Sequence, residues 1–550
     1  MKKIKGMFLI IYIFLNLINI IIGWKCGADQ LKIKPGVLNT GKEEKRRRLL
    51  SGYTPIKIKA DYSNFKTNSL INEETLNKIK NLIEQTCKEF GKFVKIQHVN
   101  IKIEGSESTI MQQCEVDSLE TGYENYLIDN DLIIFPSFDS TLGVNTLAAA
   151  GLCLYSSTTY RPYAGVLFIN PELSFDKKNT ELYMKTLLFH ELTHVLIFNP
   201  NLMKTLGMTT TKIFDGSFVT FINSPRVLTA ARQHFNCTTI NGIPLENQGS
   251  EGSAGAHWEA RYMLGDYMLS TDYIDNVLSD ITLALFEDSG FYKVNYYSGG
   301  LFKYGKNMGC SFFEKKCIEN GNTDFKNEFC TNFDEDFCSR SKTIKGKCLV
   351  YEYSESIPSR YRYFENKKYG GFLSANYCPV SDLENSNNDY FPNSCHAGTS
   401  TLNGDYGEII SSSSFCFISS LLPSNSTQNS VNQAICYKID CDKNNKKIIV
   451  NIGNDKVACP REGGDISNPS GFKGTINCPQ YSDICGFDSD DNDICNEMFT
   501  CLDKKIETDA ETFSYFPDED DVIEKIIVNN NNDRLQFNLS LFFVLLFLCI

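Results

Sequence analysis

His190-Glu191-Leu192-Thr193-His194 sets two imidazoles four positions apart with a carboxylate between them. On a helix that spacing turns both rings to one face, where they can grip one metal ion while the carboxylate serves as a general base. With six histidines in 550 residues, such a pattern is expected by chance about 0.005 times, so coincidence is a poor account of it. The bland alternative is a pair of satisfied histidines on an ordinary helix. A long helix is expected either way: Asn179 or Thr180 can cap it, and Leu182, Met184, Leu187, Leu188, Val195 and Leu196 follow with no Gly or Pro through Phe198. At 1.5 Å per residue this run gives a helix of about 27 Å. Pro200 lacks the N–H that another turn needs and ends it. Both histidines therefore fall in the last turns, at the edge of a lobe where a cleft for a large substrate can open.

Two histidines leave a tetrahedral zinc ion one protein ligand short. His98, His234, His257 and His396 are the candidates for the third. His257 stands out because Gly249, Gly252 and Gly255 precede it and allow the backbone to fold tightly into a cleft. Met268, a short way downstream, offers a soft apolar floor beneath a metal. On the residues alone, ordinary helix packing is the better reading of Met268.

The surrounding pattern is that of an α+β lobe. Residues 53–61 alternate like an edge or half-buried strand. Residues 71–90 carry helical spacing, with Leu76, Ile79, Leu82, Ile83 and Phe90 on one side and Glu73, Glu74, Lys78, Lys80 and Glu84 on the other. Residues 131–136 and 163–170 read as short buried strands leading up to the metal-motif helix.

The composition limits where this chemistry happens. Lys2, Lys3 and Lys5 precede an apolar run at 7–22, the pattern of a secretory signal cut near residues 23–26. At the other end, a polar patch at 529–533, a short spacer and an apolar tail at 539–550 follow the order of a GPI-anchor signal. Between these ends lie 19 of the 21 cysteines, a density that suits an oxidising compartment. Asn236-Cys237-Thr238 and Asn425-Ser426-Thr427 are glycosylation acceptors on that route. A net charge of −13 supplies no basic field for phosphate and argues against nucleic acid as a partner. The local run KEEKRRR at 42–48 reads as a processing site that separates a pro-segment from the body. The body, about 480 residues, implies at least two domains. From Cys310 onward, 15 cysteines before residue 502 lie among Gly, Asn, Ser and Asp, so disulfides and short strands, more than one large apolar core, are expected to hold this part together. The acidic stretches at 488–493 and 507–521 read as solvated stalk, the first fitting a calcium loop poorly.

Taken together, the His190–His194 motif, the distant Gly-Ala-His257-Trp, the following Gly-Asp-Tyr-Met268 and the downstream cysteines resemble the leishmanolysin family of surface zinc metallopeptidases, in the metzincin group. The resemblance covers roughly residues 55–485. It implies an α+β fold in three parts: a zincin-like catalytic lobe, a central domain that brings in the third histidine, and a disulfide-rich, mostly β or irregular C-terminal domain. The expected divisions are a signal peptide at 1–25, a pro-segment at 26–48, the catalytic lobe at 49–199, the central domain at 200–309, the cysteine-rich domain at 310–502, a stalk at 503–532 and an anchor signal at 533–550. The resemblance also implies that His190, His194 and His257 hold one zinc ion, that Glu191 is the general base, and that Met268 forms the Met-turn. It implies a Cys114–Cys153 crosslink and a ladder built from Cys237 and the 13 cysteines between Cys310 and Cys485. Cys495 and Cys501 then form an extra pair, and Cys87 is left free, joined to Cys26, or joined to another chain.

The implied activity is an endopeptidase acting on proteins or peptides at the cell surface, held to the membrane by a lipid anchor. An extended substrate would pair with an edge strand of the lobe, around residues 163–169 or a neighbour. The sequence leaves the oligomeric state open. Two positions depart from the family. Ile197 stands where the family has Gly after the second helical histidine, and a β-branched residue costs about 1–2 kcal/mol if that position is left-handed. The pro-segment retains Cys26 without the family's flanking histidines, so any latency ligand to zinc is Cys26 alone. Ile197 speaks for the alternative, a catalytically impaired surface adhesion or binding protein.

Overall fold

Thr180–Leu196, the helix of the metal motif (α2), is pressed onto a five-stranded sheet so closely that a β-carbon at Gly165 would collide with the Val195 side chain. The computed structural model describes residues 35–38 and 52–485, except 104–106, 143–145, 173–179, 215–216, 249–253, 272–275, 297–299, 301, 334, 383–393, 397–400 and 404–405. The expected signal, Cys26, the basic run at 42–48, Cys495, Cys501, the acidic stretch at 488–493, the stalk and the anchor signal all lie outside the described residues. No helix among the described residues is long and apolar enough to cross a membrane.

The sheet comprises β1 (Gly36–Leu38), β3 (Ile58–Ala60), β5 (Leu132–Phe138), β6 (Ala148–Ser156) and β7 (Pro162–Ile169), in the order β1-β6-β7-β5-β3. β3, β5 and β7 are parallel, whereas β6 runs against β7. Residues 163–169 are therefore interior, and the expected edge for a substrate is not β7. Among the described residues, its neighbour β6 is flanked on the outer side only at Leu154–Ser156, where β1 pairs with it in parallel.

Residues 53–61 form two strands, not one. β2 (Tyr53–Pro55) joins β4 (Val94–Gln97) and β11 (Tyr292–Val294) in a separate sheet, while β3 enters the main one. The chain switches at Ile56-Lys57, where Ile56 N–H donates to Val94 O and Lys57 N–H to the Asp131 carboxylate. Between them α1 (Glu73–Phe93) buries all five residues of the expected stripe, and its Asn72 cap accepts from Thr75 N–H at 2.8 Å. Phe90 and Phe93 of α1 meet Phe189 of α2 at ring separations of 4.7 and 5.7 Å, which wedges the metal-motif helix between α1 and the sheet.

Pro200 does more than stop α2. It opens the next short helix, Pro200–Thr205, whose Asn199 cap accepts from Asn201 and Leu202 N–H. A hairpin of β8 (Thr209–Phe214) and β9 (Ser217–Ile222) follows, then helix α3 (Pro225–Phe235), β10 (Ile243–Pro244) beside β9, and helix α4 (Asp280–Asp288).

The C-terminal region combines short strands with a six-stranded antiparallel sheet running from Asp455–Ala458 at one edge to Gly464–Ser467 at the other. One face of this sheet buries Phe417, Tyr437, Ile448, Val450, Ile452 and Ile476. An apolar core thus joins the disulfides in holding this part together, because strand Gln433–Asp442 and its partner Lys447–Ile452 alternate buried and more exposed positions. Cys114–Cys153 is bonded, as are Cys237–Cys310 and all the cysteines from Cys317 to Cys485, eight disulfides among the described residues. Among the described residues Cys87 is the one cysteine outside a disulfide, and it is buried on α1.

Candidate metal centre

α2 delivers His190 and His194 one turn apart, both buried, with Glu191 fully buried beside them. Each ring is oriented by a backbone carbonyl. His190 Nδ1 donates to Tyr267 O at 2.6 Å, and His194 Nδ1 to Phe198 O at 2.9 Å. A carbonyl only accepts, so Nδ1 carries the proton on both rings and each Nε2 bears a lone pair. Burial pushes His190 down to about 4 and His194 to about 3, the second helped by its neighbour His190, so both are neutral at pH 7. The two Nε2 atoms lie 3.0 Å apart. Lone pairs this close repel unless a cation lies against both, which is the donor set that a metal ion takes.

His257 completes the group. Its ring is fully buried and lies 5.3 Å from His190 and 5.0 Å from His194 between centroids. One ligand atom from each of the three falls within 4.8 Å of the others, the arrangement of a three-histidine metal-binding site. His98, His234 and His396 are placed elsewhere: His98 bonds Asp131 and Ile128 O, His234 bonds Tyr304 O, and His396 packs on Phe415.

The third histidine arrives on a strand-like segment tied to the turn at Met268. Trp258 N–H donates to Met268 O at 3.0 Å, and Leu245 forms a bridge with Trp258. Met268 is fully buried on a tight turn, not on a helix as packing alone suggested, because the Asp266 carboxylate accepts its N–H at 2.8 Å. Asp266 also accepts from Thr282 Oγ1 at 2.8 Å, and Thr282 accepts from Trp258 Nε1 at 2.8 Å. Burial pushes Asp266 up to about 6 despite these donors. Tyr267, between Asp266 and Met268, supplies the carbonyl that orients His190. From the sequence Asp266 and Tyr267 stood out only as neighbours of Met268, without these roles, and Thr282 not at all; the Asp two residues before Met268 was the available signal, since this spacing favours a side chain bonding its own backbone.

Ile197 is not left-handed. It lies outside the residues with positive φ, its N–H donates to Thr193 O at 2.9 Å, and its side chain is fully buried. The helix therefore leaves by an ordinary turn, and the strain expected of a β-branched residue there does not arise. Asn236 and Asn425 are both exposed, the first in a left-handed helix cap.

An α+β lobe with a helix-borne His-Glu-x-x-His pair, a remote third histidine and a disulfide-rich C-terminal region defines a zincin-type metallopeptidase architecture. The family described as leishmanolysin matches residues 66–492, and the chain belongs to it. A leishmanolysin homolog of Crithidia fasciculata is 26% identical over 66% of this chain and 57% of its own. Leishmanolysin of Leishmania tropica is 27% identical over 62% of this chain and 52% of its own. A leishmanolysin-like peptidase of Drosophila melanogaster is 29% identical over 48% and 44%. The chain thus spans a little over half the length of the first two relatives.

Proposed function

We propose that this chain is a zinc-dependent endopeptidase that cleaves extended protein substrates. Three buried, converging imidazoles beside a buried carboxylate are the observation that carries the reading. Zinc suits neutral histidine nitrogens, and when bound it supplies Lewis acidity and a water whose pKa falls toward about 7. His190, His194 and His257 would hold it. Glu191, on the same turn as His190, takes the proton of the attacking water and passes it to the departing amine. Met268, in the turn that fixes His190 and Trp258, plays the Met-turn part.

The substrate strand pairs along the outer side of β6, whose residues 148–153 have no strand partner on that side among the described residues. Such pairing reads backbone shape more than side chains and gives broad specificity. The pro-segment anchors itself beside this edge through β1, and Cys26 serves as a thiolate cap on the metal until the chain is cut after the basic run at 42–48. Eight disulfides point to action outside the cytosol, with Asn236 and Asn425 as glycan sites. A lipid anchor at the cell surface predicts release by a phosphatidylinositol-specific phospholipase. With Ile197 unstrained, no observation favours the reading as an inactive adhesion protein.

The test replaces Glu191 with Gln and measures zinc content alongside degradation of a denatured protein. Loss of cleavage with zinc retained is expected; cleavage at the wild-type rate would overturn the base assignment.

A further inference from the structure

We propose that Glu246 is a positioning residue for the third histidine, the outer carboxylate that orients His257 and raises its strength as a metal ligand. This inference rests on the zinc reading above. The three rings are not oriented alike. His190 and His194 each point Nδ1 at a neutral backbone carbonyl, whereas His257 Nδ1 has the Glu246 carboxyl as its neighbour, with Oε2 3.8 Å away, close but longer than a hydrogen bond. Both partners are buried.

The backbone holds the two in register. Glu246 N–H donates to His257 O at 2.9 Å, and Glu246 O accepts from Gly255 N–H at 2.8 Å. One residue earlier, Leu245 N–H donates to Thr220 O at 2.8 Å, which ties the segment to β9. Glu246 therefore sits across a short ladder from His257, at a position set by strand pairing and not by a flexible loop. A carboxylate behind a ligand imidazole fixes which nitrogen bears the proton and makes the other a better donor; loss of such a partner weakens metal binding by about 10–100-fold.

The test compares full-length wild type with Glu246→Gln and Glu246→Asp. Zinc affinity is read by competition with a chromophoric chelator, the cobalt-substituted spectrum is recorded, and unfolding of the metal-free form is followed by urea. Glu246→Gln should bind zinc about 10-fold or more weakly, with a shifted cobalt spectrum and a metal-free unfolding midpoint close to wild type. Glu246→Asp should recover part of the affinity. Zinc affinity of Glu246→Gln within about twofold of wild type overturns the proposal, as does a change confined to metal-free stability. A wild-type protein that takes up no zinc overturns both this proposal and the reading it rests on.

Discussion

Thr282 Oγ1 stands between the Trp258 indole and the Asp266 carboxylate, 2.8 Å from each. It accepts from one and donates to the other, so a helix-borne hydroxyl joins the segment of the third histidine to the turn that orients the first. His190 and His194 share one helix, and contacts of this kind bring the segment of His257 to them.

Replacing Thr282 with Val keeps the shape and removes both bonds, leaving the buried Trp258 N–H without this acceptor and Asp266 Oδ2 with the longer bond from Ser279 N–H at 3.3 Å. The expected cost is about 1–3 kcal/mol. Urea unfolding of the metal-free protein measures it, and zinc affinity should fall with it. Thr282→Ser should behave close to wild type. A silent Thr282→Val would show that Asp266 and Trp258 hold their places without this link.

Stability of the metal-free protein should depend on pH in a defined direction. His190 and His194 are held at about 4 and about 3 by burial, below the ordinary 6.5. Between those values the unfolded chain binds protons that the folded chain refuses, so their contribution is complete above about pH 6.5 and is lost as pH falls toward 4 and then 3. Other acids add their own dependence, so the measurement is a difference: urea midpoints of the zinc-stripped wild type and of a His190→Gln/His194→Gln variant, from pH 7.5 to 4.5. The wild type should lose more over this range. Parallel curves would mean that the two rings titrate in the fold as they do in the unfolded chain.

Ile197→Gly should harm and not help. The position has ordinary φ and a fully buried side chain, so glycine removes packing without relieving strain. The expected loss is about 2–5 kcal/mol of stability, as for other large-to-small changes in a core, with no rise in kcat. Thermal unfolding and hydrolysis of a denatured protein read the two effects. A large gain in turnover would mean that the isoleucine restrains the site after all.

The reach of the sequence follows from the range of each interaction. The His190–His194 pair and the stripe on α1 were legible because helix periodicity is local. His257 was legible as a candidate through its glycines, and the family resemblance singled it out. The pairing of Trp258 with Met268, and the carboxylate of Asp266 that bends the chain there, join residues by folding and leave little trace in spacing. The same limit explains residues 53–61. Their alternation is genuine, yet the chain changes sheets at Ile56-Lys57 because Val94 and Asp131, far along the sequence, accept the two N–H groups. It also explains residues 163–169: a buried strand reads alike at an edge or in the interior, and only the addition of β6 places β7 inside.

β1 comes just before the basic run at 42–48 in the chain. Leu38 is buried in the cluster that contains Ile110, Cys114 and Leu154, and its carbonyl accepts from Ser157 N–H at 2.9 Å. Three paired residues make a short strand, so this one side chain supplies much of what keeps β1 on the edge of β6; burying a leucine contributes about 1.5–3 kcal/mol. Leu38→Glu should therefore detach β1 without unfolding the body, since β6 keeps its full pairing with β7 and its disulfide to Cys114. If the pro-segment restrains the site through this strand, the uncut variant should degrade a denatured protein faster than the uncut wild type, while the two become equal once cut after the basic run. Equal rates before cutting would show that β1 is only a tether, and that any latency resides in the residues nearer Cys26.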